Sequence, residues 1–320
     1  MFKSNKLFIS LIIFMFAFSV VYTQKKSDEK PIPQGKAVMW EPVNIGEKDL
    51  FYGPGGKELL PDVSKITFIE EVKGGHNKKY RIKDAAGKIW VAKLGREAQP
   101  ETAAVRLLWA LGYKTEVNYL VSTITIPGKG TFQNVRLEAR PEEVDRLDEW
   151  KWKENPFIGK NEFQGLKMMM VFFNNWDVLD LQNKILKVDG ADGTELHYII
   201  SDLGSTFGKL GNNNLFIVYR IGRKTNNPSK YIDSSFIDDV KDGYVDLAYK
   251  GKNRDLFEDI TVEQARWLAE LMNQLSDQQI SDAFRAANYS AEDVKTLTQA
   301  VKNRISDLNQ ATKQTQTAKQ

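Results

Sequence analysis

No cysteine occurs among the 320 residues, and histidine occurs only twice, as His76 and His197. Without thiols the chain has no disulfide framework, cysteine nucleophile, iron–sulfur cluster or thiolate zinc site. Two histidines outside any H-E-x-x-H frame exclude zincin-type metalloprotease chemistry. The G-x-S-x-G elbow is also missing, because Gly204-Ser205-Thr206-Phe207-Gly208 does not fit it. Catalysis therefore falls to carboxylates, lysine, amides and a hard cation.

An excess of charge is lacking too. Lys and Arg number 45 against 42 Asp and Glu, and setting aside Lys3 and Lys6 leaves 43 against 42. That balance gives no electrostatic case for nucleic acid or an anionic membrane as partner. Long apolar runs are confined to the first segment, residues 7–22, which follows Lys3 and Lys6. Its 16 residues fall short of the about 20 that span a bilayer. A basic start, an apolar stretch and the exit Ser19-Val20-Val21-Tyr22-Thr23 form the pattern of a signal peptide over 1–23. The expectation is an exported protein, periplasmic or secreted, with no membrane span after cleavage; an uncleaved anchor is the alternative. A lipoprotein is excluded by the missing cysteine.

Residues 24–45 read as a solvated linker, rich in Lys, Asp, Pro and Gly up to Lys36, and residues 310–320 as a disordered tail of Gln, Thr, Lys and Ala. Strands are expected at 66–69, 79–82 and 89–94, joined by turns at Gly74-Gly75 and Gly87, and at 119–126 and 132–137. Between the third and fourth of these, Pro100 starts a helix that Gly112 stops. Further on, Phe163, Leu166, Met169, Met170 and Phe173 share a helical face, and 184–188 with 196–200 form a hairpin. Helices follow at 261–275, 276–287 and 290–308, with capping patterns at Thr261/Gln264 and Ser290/Asp293. The class is α+β: a first lobe over 46–140 with an antiparallel sheet and one main helix, and a mainly helical lobe over 141–309.

Three segments carry chemistry. Trp90-Val91-Ala92-Lys93 sets a lysine on a strand ahead of a helix that bears Glu97 and Glu101 near its start. Asp177 follows an apolar helix in a polar loop, with Gln182 and Asn183 beyond it. Tyr198-Ile199-Ile200-Ser201-Asp202-Leu203-Gly204 ends an apolar strand on a carboxylate. Each residue has an ordinary role when taken alone. Lys93 can pack its stem on Trp90, Glu101 can complement a helix N-terminus, and Asp177 can cap a loop. The pattern Tyr52-Gly53-Pro54-Gly55-Gly56-Lys57 lacks the first glycine and the hydroxyl residue of a P-loop and reads as a turn. Asp189 to Asp192 reads as a hairpin tip. Trp150, Trp152 and Phe157 suit either a ligand patch or core packing.

Lys, Glu, Asp, amide and Asp in this order resemble the protein-kinase-like superfamily. The likeness is to its atypical branches: phosphoinositide-kinase-like, persister-toxin and secretory-pathway kinases. The segments AKLGREAQPETAAVRLLWALGY, MMMVFFNNWD and YIISDLGSTFG look most like a group of exported bacterial kinase-like proteins. The resemblance implies a two-lobed kinase-like fold and an ATP- and magnesium-dependent transferase acting on a protein, lipid or sugar acceptor. A catalytically inactive pseudokinase that serves as a binding or scaffold module is the alternative. By resemblance Lys93 binds phosphates, Glu101 pairs with it, and Gly74 and Gly75 belong to the phosphate lid. Asp177 is then the catalytic carboxylate, and Asn183 and Asp202 hold magnesium. Glu97 competes with Glu101 for the lysine, and Gln182 with Asn183 for the amide role. The lid lacks G-x-G-x-x-G and the loop lacks H-R-D.

Overall fold

The structure, a computed structural model, describes residues 32–74, 77–211 and 222–317. The segment 1–23 expected to be a signal peptide, Gly75, His76 and residues 318–320 lie outside the described residues. The expected linker up to residue 45 is instead partly built in. Its strand β1 (Lys36–Val38) pairs in parallel with residues 195–197. Met39 and Ile45 are buried, and Trp40 donates its indole N–H to the Leu111 carbonyl at 2.6 Å. Val38, Met39 and Ile45 are the reason, since a solvated linker would leave their apolar surface in water.

Alternation builds the next sheet. Strands β2 (Thr67–Val72), β3 (Lys79–Lys83), β4 (Ile89–Lys93), β5 (Asn118–Ile126) and β6 (Gly130–Ala139) are antiparallel, in spatial order β2-β3-β4-β6-β5. One face gives Tyr80, Ile82, Trp90, Ala92 and Leu137 to a single apolar cluster. Residues of opposite parity on β4 and β6, including Lys93 and Arg136, point the other way. There α1 (Ala98–Ala110) covers them, and its Glu101 pairs with both. The helix ends at Gly112, whose φ of 95° and tight approach to the Glu41 carbonyl leave no room for a side chain.

The C-terminal part is mainly helical around a second sheet. Strands β7 (Val144–Arg146), β8 (Asn183–Gly190) and β9 (Gly193–Ile200) join β1 in the order β1-β9-β8-β7. Helix α2 (Asn161–Phe172) is central: residues 163–173 are all buried, so its Met and Phe side chains form core on every side. Each buried phenylalanine there contributes about 1.5–3 kcal/mol. Trp150, Trp152 and Phe157 pack in the same core and are not a ligand patch. Beyond β9 come α3 (Pro228–Ile232), the hairpin β10 (Ile237–Lys241) and β11 (Tyr244–Leu247), α4 (Val262–Met272), α5 (Asp277–Ala286) and α6 (Ala291–Thr317). Thr261 and Gln264 close a capping box on α4. The tail expected from residue 310 is helical to Thr317, because Ala311 and Thr312 are buried and Arg266 donates to the Thr312 carbonyl. The α+β class, with an antiparallel N-terminal sheet bearing one main helix and a mainly helical C-terminal part, matches the expectation.

Candidate active site

Lys93 closes β4 on the face covered by α1, and burial forces it to find anions. Its Nζ lies 2.9 Å from Glu101 Oε2, 3.0 Å from Asp202 Oδ1 and 3.5 Å from Glu97 Oε2. Glu101 is the nearer and more buried partner; Glu97 stands at the rim, where Asn77 donates to it. Burial works against the Lys93 charge, yet Glu101, Asp202 and Glu97 outweigh it and hold the ammonium well above the usual lysine range. Burial pushes Glu101 up to about 7 against the pull of Arg136 and Lys93. Lys93 is thus the member of the pair that stays charged, and Glu101 the one that titrates near neutrality.

Asp202 follows β9 directly. The Gly204 N–H donates to Asp202 Oδ1 at 3.0 Å, and the Leu203 N–H reaches Glu101 Oε1 at 3.4 Å. Burial opposes the Asp202 charge, but Lys93 and the Gly204 N–H override it and hold the carboxyl below its usual range. Gly204 is required for space rather than for φ: a Cβ there would lie 2.6 Å from Glu97 Cβ.

Asp177 stands on the loop after α2. Asn174, at φ 56°, turns the chain, and the buried Arg304 fixes that turn through Asn174 Oδ1 at 3.1 Å and the Phe172 carbonyl at 2.6 Å. Asn175 Oδ1 accepts from the Asp177 N–H at 3.0 Å. Gln182 Nε2 donates to Asp177 Oδ2 at 2.7 Å, and Lys252 Nζ lies 2.9 Å from Asp177 Oδ1. The Gln182 carbonyl in turn accepts from the N–H groups of Ser201 at 2.7 Å and Asp202 at 3.3 Å. Gln182 therefore ties the two carboxylates together.

Asn183 departs from its expected place. It is fully buried at the start of β8, and its amide donates to the Trp150 carbonyl at 2.9 Å. β8 begins at Asn183 and buries it, while Gln182, which ends the 3-10 turn Asp180–Gln182 just before, stays beside Asp177. Gly74 is exposed, with open space around its α-carbon, and Gly75 lies outside the described residues. No group of three or more His, Cys, Asp or Glu suited to a metal ion occurs among the described residues.

Several participants had no clear sequence signal. Lys252 comes from a distant loop, pinned by Asn253, which donates to the Val178 carbonyl at 2.8 Å. Behind Lys93 the charges continue: Arg136 Nε is 3.0 Å from Glu101 and its Nη2 2.6 Å from Glu138. Glu138 also pairs with Arg140, and Arg146 pairs with Glu116. Arg136 and Glu138, two apart and flanked by Val135, Leu137 and Ala139, were the available hint of a charged strand face.

No family model matches the chain, and no curated protein matches it. Among solved structures it is similar to the crystal structure of a Helicobacter pylori proinflammatory kinase, CtkA. Identity is 13% and the TM-score 0.49, over 78% of this chain and 96% of that one. It is also similar to the Rio2 kinase-ADP/Mg2+-phosphoaspartate complex from Chaetomium thermophilum. There identity is 10% and the TM-score 0.32, over 75% of this chain and 72% of that one.

Proposed function

We propose that the chain is an exported kinase-like phosphotransferase that uses ATP and magnesium on a protein, lipid or sugar hydroxyl. One observation carries this reading: Lys93, at the end of β4, contacts Asp202 directly, and Gln182 links Asp202 to Asp177, on the loop after α2, through its backbone carbonyl and its side-chain amide. Phosphoryl transfer needs positioned cations on the phosphates, a carboxylate facing the acceptor and hard oxygens for a divalent ion.

The donor set fits magnesium. Asp202 engages Lys93 and Gly204 through Oδ1, which leaves Oδ2 for a cation, and Gln182 turns its amide N–H to Asp177, which leaves Oε1. Such ions commonly take one or two protein oxygens and complete their shell with phosphates and water. Asp202 and Gln182 would hold it, and bound there it neutralises phosphate charge. Lys93 contacts the phosphates, held by Glu101. Asp177 accepts the proton of the acceptor hydroxyl as that oxygen bonds to the terminal phosphorus. The bond from this phosphorus to the bridging oxygen breaks, and its electron pair leaves with ADP.

Export rests on the pattern of residues 1–23, and no helix among the described residues is long and apolar enough to cross a membrane. The mature N-terminus, read by mass spectrometry from extracytoplasmic fractions, tests it. A second reading, a binding module without turnover, is favoured by Asp177: both its oxygens already have partners, Gln182 and Lys252. Thermal melting with ATP and magnesium distinguishes binding from none, with Asp202→Ala as control. Incorporation of labelled phosphate then distinguishes turnover from binding. Turnover that survives Asp177→Ala and Lys93→Ala would show that these side chains are not its site.

A further inference from the structure

A cavity of about 160 Å³ opens at the C-terminal end of β6, with Ala139 in its wall. The lead-in to β5, the segment after β6 and the β7–β8 edge enclose it, with Val117, Pro141, Val144, Leu186 and Val188 as apolar walls. Lys93 and its partners Glu97, Glu101 and Asp202 are not among its lining residues, although Arg140 and Arg146 connect to them through Glu138 and Arg136. Arg140, Arg146 and Glu116 also line it.

Three observations describe an occupant. The volume suits a single six-membered ring, since an apolar cavity of about 150 Å³ takes up benzene. Two arginines, Arg140 and Arg146, line it against one carboxyl, Glu116, whose pKa burial raises. The Thr115 hydroxyl, on the lining, is buried without a hydrogen-bond partner. A dry void needs none of these polar groups.

We propose that this cavity binds a small ring-bearing monocarboxylate, its ring against Val117, Pro141, Val144, Leu186 and Val188 and its carboxylate on Arg140 and Arg146. The guanidinium fork matches a carboxylate in two parallel hydrogen bonds, and Thr115 supplies a third polar contact.

The test uses the full chain and 4-fluorobenzoate, followed by fluorine NMR line broadening and calorimetry. Saturable binding at one site is expected, with 4-fluorotoluene, the same ring without charge, at least about tenfold weaker, the ratio that a charge-assisted pair confers. Val144→Trp, which fills the cavity from an exposed strand, removes binding and leaves the melting temperature near the wild type. Arg146→Met weakens 4-fluorobenzoate by about tenfold or more and leaves 4-fluorotoluene unchanged. Equal binding of the two probes would reduce the cavity to an apolar void. Absence of binding at 10-fold excess of millimolar probe, or binding that persists in a folded Val144→Trp variant, overturns the proposal.

Discussion

The Lys93 ammonium lies 3.0 Å from the Asp202 carboxylate, although 109 residues separate them along the chain. The contact joins the end of β4 to the end of β9. Glu101 completes the set from α1, and its backbone partner is Leu203, the residue after Asp202. Removing Lys93 therefore leaves the fully buried Glu101 with Arg136 as its remaining cation.

Lys93→Met leaves Glu101 and Asp202 without their shared cation. The expected loss is about 3–5 kcal/mol of unfolding free energy, the usual cost of breaking a buried pair from one side. Urea midpoints measure it. The double variant Lys93→Met/Glu101→Leu recovers part of the loss, and a single variant with a wild-type midpoint would contradict the buried-pair account.

Asp177→Asn keeps the contact with Gln182 but removes the proton acceptor. Labelled-phosphate turnover falls by about 10²–10⁴-fold, while nucleotide binding, read by melting, is unchanged. Lys252→Met removes a partly exposed ion pair, so its midpoint moves by less than about 1 kcal/mol. A larger shift would make Lys252 a structural pin.

Gly204→Ala drives a methyl group towards Glu97 Cβ, 2.6 Å away. Overpacking of this kind costs about 1–3 kcal/mol. Removing the opposing Cβ itself, in Gly204→Ala/Glu97→Gly, recovers part of the midpoint. Failure of that rescue would place the strain in the backbone.

The proton balance at Glu116 sets a pH dependence. Burial and then the Glu138 charge raise its pKa from 4.5 to about 8 against Arg146 and Arg140, so the folded chain binds a proton that the unfolded chain has released. A raised folded-state pKa contributes stability that is complete below 4.5 and lost as pH rises through about 8. Unfolding free energy then falls by up to about 1.4 kcal/mol per pH unit across that window. Glu116→Gln, neutral throughout, flattens the slope in urea titrations at successive pH values.

Much of the architecture was written in local signals. Trp90 to Lys93, Gly112 and the Thr261 cap act within a few residues of themselves, so periodicity and turn chemistry located their elements. The β10–β11 turn at Asp242-Gly243 carried the same kind of signal, with both residues at positive φ, yet it joins strands too short to stand out. Long-range partners were not legible. Nothing near Lys252 announces Asp177, 75 residues earlier, and Arg136 meets Glu101 only because β6 lies beside β4. The choice of Gln182 over Asn183 depended on the phase of β8, which a loop of unknown geometry does not fix from sequence. In the same way, Val38 and Met39 were too few to overcome the polar look of the first 45 residues.

The strand Lys36–Val38 has a consequence for how the chain tolerates cutting. It is bolted to the outer edge of β9, the strand that ends two residues before Asp202, and Trp40 just beyond it grips the end of α1, the helix that carries Glu101. A protease acting before Lys36 leaves this clasp shut. One acting past Trp40 unbuttons both sides of the charge cluster with a single cut.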